Sequence, residues 1–124
     1  MLITIETAKL AKEKLFDEAC QEGFIDGKEV SIWDEGHRGD WYSNGNQSDE
    51  LARPQQDQLK NWLRENHNIN IIIEESGCWW KYKFSIKKKN YTMYFEGSTV
   101  HDYNLSLETA LKTALNEINI SCQK

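Results

Sequence analysis

Side chains able to do chemistry are few in this chain and scattered along it. Asp34, Glu35, His37 and Asp40 form the one stretch where carboxylates and an imidazole lie close together. Such a set can hold a metal ion or move protons as general acid and base. Here it falls among turn-forming residues, so no helix or strand places the groups on a common face, and solvated loop charges are the simpler reading. Cys20, Cys78 and Cys122 are odd in number and far apart, which suits neither a disulfide framework nor a zinc site and fits free thiols. His67 falls at the end of a helical stretch, where the partial negative charge favours its protonated form, and His101-Asp102 falls at a turn. The sequence has no glycine-rich phosphate loop, no nucleophile elbow and no His-Glu-x-x-His. It therefore points away from catalysis, and neither a cofactor nor a metal is expected.

Two clusters suit binding instead. Trp79, Lys81, Lys83, Lys87, Lys88 and Lys89 interleave aromatic and basic side chains, with no acid between Trp79 and Phe95. On one face of a sheet they could follow a phosphate backbone and stack bases. The competing reading is that lysines keep an exposed strand soluble and unpaired. Trp33, Arg38, Trp41 and Tyr42 form the second cluster, in or beside a loop at about 34–50. Trp, Tyr and Arg dominate interface hot spots, so this surface suits a protein partner, either a host protein or a second copy of the chain as a homodimer. Alternatively, Trp33 and Trp41 close the core over a neighbouring hairpin, or tryptophans line a small-ligand pocket.

The elements that must position these clusters follow from periodicity. Ile5, Ala8, Ala11, Leu15 and Ala19 recur at helical spacing, predicting a helix over about 5–19 with Thr4 as N-cap and Gly23 as stop. Asp26-Gly27 predicts a tight turn between Phe24-Ile25 and the strand from Val30 to Trp33. Asn44-Gly45 is a second turn signal, after a short strand through Trp41-Tyr42. Pro54 suits the first position of a helix over about 54–66, striped by Leu59, Trp62 and Leu63. From Ile69 the period switches to two. Ile69, Ile71 and Ile73, then Trp80, Tyr82, Phe84 and Ile86, then Tyr91, Met93 and Phe95 predict a three-stranded antiparallel meander over about 69–96, with one wet face. Ser106 is placed to cap a last helix over about 106–119. The fold class is α+β, a single domain of residues 1–124 with the helices packed on the sheet.

Composition agrees with a foldable chain. At 124 residues, with five Trp, five Tyr and four Phe, it can bury one real core. No apolar run approaches the roughly 20 residues of a membrane helix. The opening Met1-Leu-Ile-Thr-Ile-Glu6 turns polar too soon for a secretion signal, so a cytoplasmic protein is expected. Residues 1–50 carry 5 basic and 12 acidic side chains, and residues 51–124 carry 10 and 8. The first part is thus acidic and the second mildly basic, an asymmetry that can mark a partner surface.

The segments Arg53–Ile73, Leu105–Ile118 and Thr4–Cys20 resemble a family of small, uncharacterised bacterial and phage or prophage proteins. That likeness covers about half of the chain. It implies an accessory protein of mobile genomes and brings no activity with it. From residue 54 the order helix, three strands, helix is also similar to double-stranded RNA-binding domains. Those carry a basic cluster at the start of their last helix, where this chain has Ser106-Leu-Glu-Thr-Ala-Leu-Lys112. Their minor-groove histidine is likewise missing from the turn Glu75-Ser-Gly-Cys78.

Overall fold

A computed structural model of the chain describes residues 1–34, 41–44, 50–97 and 100–118. It is α+β, with three helices and two antiparallel three-stranded sheets in two compact units. Among the described residues no helix is long and apolar enough to cross a membrane.

The N-terminal unit, Leu2–Gln55, holds helix α1 (Ile5–Glu13) and strands β1 (Glu22–Ile25), β2 (Lys28–Ser31) and β3 (Glu50–Arg53), in sheet order β2-β1-β3. Thr4 caps α1, its hydroxyl accepting from the Thr7 amide at 3.3 Å. The helix presents Thr7, Ala8 and Ala11 to the interior and packs on β3. It ends at Glu13, six residues short of the expected end at about 19. Leu15 adopts φ +70°, and the Phe16 amide donates back to the Ala11 carbonyl at 2.9 Å, a Schellman closure that turns Phe16 into the core. Leucine in place of the usual glycine at that left-handed position hides the signal. The β1–β2 turn is the expected one: Asp26 and Gly27 both have positive φ, +52° and +80°, as a type I′ hairpin requires. Periodicity gave no sign of β3. Glu50-Leu-Ala-Arg53 is short and does not alternate, yet it adds a third strand to the hairpin through Leu51↔Phe24 and Ala52↔Gly23.

The C-terminal unit holds helix α2 (Gln56–His67), strands β4 (Ile69–Ser76), β5 (Trp79–Lys87) and β6 (Thr92–Glu96), and helix α3 (Tyr103–Asn116). The meander follows the predicted phases, in order β4-β5-β6. Ile69, Ile71, Tyr82, Phe84 and Ile86 are buried on its inner face, beneath Leu59, Trp62 and Leu63 of α2 and Leu107, Leu111 and Leu115 of α3. Phe84 stacks on Phe95 with centroids 4.6 Å apart. Both helices start elsewhere than expected. Pro54 precedes α2 by two residues, because Gln55 is held extended in a bridge to Leu2. Asp102, not Ser106, caps α3, and its carboxylate accepts from the Asn104 and Leu105 amides at 2.7 and 3.2 Å. Ser106 lies inside the helix, 1% exposed, with its hydroxyl unpartnered.

These caps make opposite forecasts. Asp102→Ala should lower unfolding free energy by about 1 kcal/mol, the usual worth of an N-cap. Ser106→Ala should leave it equal or higher, since it removes a buried hydroxyl without a partner. Urea denaturation measures both, and a larger loss at Ser106 would return the cap to that residue.

Candidate functional site

In the N-terminal unit two of the predicted aromatic residues lie on the surface. Trp33, just beyond β2, is 77% exposed, and Trp41 is 49% exposed. Tyr42 departs from the expected surface role. It is 5% exposed, with its ring against the backbone at Gly23, where an added Cβ would lie 2.8 Å from Tyr42 Cγ. Its main chain exchanges both hydrogen bonds with Cys20, at 2.7 and 2.8 Å, and its phenol donates to the Ser31 carbonyl at 3.4 Å. Tyr42 is therefore a positioning residue. It ties the chain bearing Trp41 to the strand end bearing Trp33. Arg38, assigned to the same surface, lies outside the described residues.

Two residues that sequence reasoning passed over complete this corner. Glu50 is wholly buried, its carboxylate accepting from the Ser43 amide at 2.7 Å and its carbonyl from the Lys12 ammonium at 3.1 Å. Asn44 donates to the Phe16 carbonyl at 3.2 Å and accepts from the Ala52 amide at 2.8 Å. Both look like loop polar residues in the sequence, and only their tertiary partners reveal their role. Asp34 of the acid–histidine stretch likewise has a local task, accepting from the Ser31 amide at 2.8 Å. Glu35, His37 and Asp40 lie outside the described residues, among which no group of three His, Cys, Asp or Glu could hold a metal. Cys20 is buried and Cys78 exposed, and neither forms a disulfide among the described residues; Cys122 lies outside them.

In the C-terminal unit the lysine cluster divides in two. Lys81 and Lys83 point outward as expected, but β4 and β6 each set a carboxylate beside them. Lys81 lies 3.4 Å from Glu96, and Lys83 lies 3.3 Å from Glu74 and 3.6 Å from Glu96. The Glu74 hydrogen bond and charge raise the Lys83 pKa above its ordinary value. These pairs are exposed and contribute little stability, yet they cancel the charge a phosphate backbone would seek. Trp79 is not a free stacking platform either. Its ring lies on the His101 imidazole, centroids 3.5 Å apart. At the far end of β5, Lys87, Lys88 and Lys89 border a cavity of about 410 Å³ that also includes His67, Asn68 and Glu117. No tryptophan lines this cavity, nor two others of about 200 and 460 Å³ beside Ile5 and Phe24.

In the order α2-β4-β5-β6-α3, Glu108 of the last helix is buried and accepts from the Gln56 side chain at 3.1 Å.

His67 corrects its sequence reading. Burial first, and the Lys88 ammonium second, hold its pKa below the usual 6.5 despite the helix end. The protonated imidazole is thus penalised in the folded state, so the unfolded chain binds more protons in the interval between the two pKa values. Stability should fall as pH drops below about 6.5, the loss being complete below the folded pKa. Urea denaturation at pH 7.5 and 5.5 should show a larger acid loss for the natural chain than for His67→Gln, and equal losses would refute it. Comparison of the chain with protein-family models, with curated proteins and with solved structures finds no match.

Proposed function

We propose that this chain is a small non-enzymatic interaction protein whose N-terminal unit docks on a protein partner through Trp33 and Trp41. The observation that carries this reading is the exposure of two indoles, 77% and 49%, in an acidic unit where Tyr42 ties the chain beside Trp41 to the strand end before Trp33. Each indole removes on the order of 150–250 Å² from water when covered, and a central Trp is a usual hot spot of 2 kcal/mol or more. The acid excess of residues 1–50 fits a partner with a basic rim, where charge speeds encounter more than it adds affinity. The likeness to phage and prophage proteins supports a host protein as that partner. A second copy of the chain is the other occupant of the same surface. Nucleic-acid binding along β5 is less well supported, because Glu74 and Glu96 neutralise Lys81 and Lys83.

Trp33→Ala with Trp41→Ala should change unfolding free energy by no more than about 0.5 kcal/mol each, as exposed substitutions do. The same pair should abolish partner capture, or self-association in sedimentation velocity, while Lys81→Gln leaves either intact. Capture and association unchanged in the tryptophan variants would overturn the reading.

A further inference from the structure

The neutralised and the open halves of the lysine cluster differ in a way that points to a ligand. At one end of the C-terminal unit, the last turn of α2, the start of β4, the β5–β6 turn and the chain after α3 surround the 410 Å³ cavity. Its apolar lining includes Ile69 and Ile86, both buried. Lys87, Lys88 and Lys89 stand at its edge, and among the described residues none has a carboxylate within ion-pair distance. The backbone fixes their position. The Lys87 amide donates to the Asn68 carbonyl at 3.1 Å and the Lys88 amide to the Tyr91 carbonyl at 2.8 Å.

Lysines here also offset two helix C-termini. Each end carries about half a negative charge, and Glu117 adds one more, for about two in total. Three ammonium groups exceed that by about one, before the imidazole is counted. The His67 shift, lowered first by burial and second by the Lys88 ammonium, places that ammonium close enough to act on the imidazole. The groups around His67 are Lys87 at the end of β5, Lys88 and Lys89 of the β5–β6 turn, Glu117 after α3, and Trp62, Asn66 and Asn68 around α2, the Trp62 ring edge-on with centroids 4.9 Å apart.

From this geometry we infer that the cavity bordered by His67, Asn68 and Lys87–Lys89 is a binding site for the phosphate group of a small phosphate ester. The ammonium groups supply charge-assisted hydrogen bonds, the Asn68 carboxamide can donate one more, and the isoleucine floor accepts the organic part. A volume of 410 Å³ lies within the roughly 300–1,000 Å³ of small-molecule pockets. A polynucleotide is the less suitable occupant, because the lysines that would extend the track, Lys81 and Lys83, are already paired. The site shares no residue with the tryptophan surface and stands or falls independently of it.

The test uses the full chain and inorganic phosphate, followed by proton NMR of its three histidines, each assigned by its Gln variant. Phosphate should shift the His67 resonances saturably and raise their titration midpoint, with chloride at equal ionic strength doing neither. Lys88→Gln should weaken the apparent affinity about tenfold, the worth of one charge-assisted hydrogen bond, and Lys81→Gln should leave it unchanged. His67 resonances unmoved by phosphate, or equally moved by chloride, would overturn the site. So would tighter binding of a single-stranded oligonucleotide without terminal phosphate that Lys81→Gln abolishes, since that would show a backbone track instead.

Discussion

The strict pleat from Ile69 to Phe95 is the constraint on which the C-terminal unit depends. Side chains of a strand alternate between faces, so a slip of one residue would move every inner group to the solvent. Here Tyr82, Phe84 and Ile86 of the central strand meet Ile73, Ile71 and Ile69 on one side, while Phe95 and Met93 meet Phe84 and Ile86 on the other. At about 25 cal/mol per Å² and about 150–250 Å² per ring, a slip would forfeit several kcal/mol for each aromatic alone. The register that buries the rings also fixes the outer face. It sets Glu74 opposite Lys81 and Glu96 opposite Lys83, so packing beneath the sheet decides which charges meet above it.

The N-terminal unit solves a different problem with less material. Its strands are four residues each, too short to hold a sheet by pairing alone. Compensation comes from side chains that reach across it. Arg53 donates to the Ile3 carbonyl at 2.7 Å, pairs with Glu29 at 3.1 Å and lies 4.8 Å from the Phe24 ring centre. Gly23 leaves room for the Tyr42 ring, which an alanine Cβ would displace. With Tyr42, Glu50 and Asn44 all spent on holding the corner, Trp33 and Trp41 are left outside the core. The buried groups of this unit are instead smaller ones such as Ala8, Ala11 and Ala52, together with Phe16 and Phe24.

How much of this could be read from residues depends on whether the signal is local. The meander, the Asp26-Gly27 turn and the existence of the helices were legible, because period two over eight or nine residues and a paired turn dipeptide are written in contiguous sequence. Helix ends were less so, since each was settled by a competitor. Asp102 accepts two amides where Ser106 accepts none, Gln55 is drawn straight by Leu2, and Leu15 ends α1 without glycine. At the candidate sites, the outward-facing lysines followed from phase, whereas the residues left open whether Trp33 and Trp41 were exposed or closed the core. The burial of Tyr42, the carboxylates beside Lys81 and Lys83, and the neighbours of His67 did not, because each arises from residues distant in sequence.

Net charge illustrates the same limit and shows why it is a poor guide to partners here. A chain of −5 would ordinarily be set aside as a binder of anions. A bound anion, however, responds to the potential within a Debye length, about 8 Å at physiological salt, and not to the sum over the chain. At the middle of β5 that local sum is close to zero, because cross-strand glutamates stand within 4 Å of both lysines. Near the end of the same strand it is positive, because among the described residues no carboxylate stands within ion-pair distance of Lys87, Lys88 or Lys89. Four residues along one strand, from Lys83 to Lys87, thus separate cancelled charge from available charge, and register, rather than composition, draws the line between them.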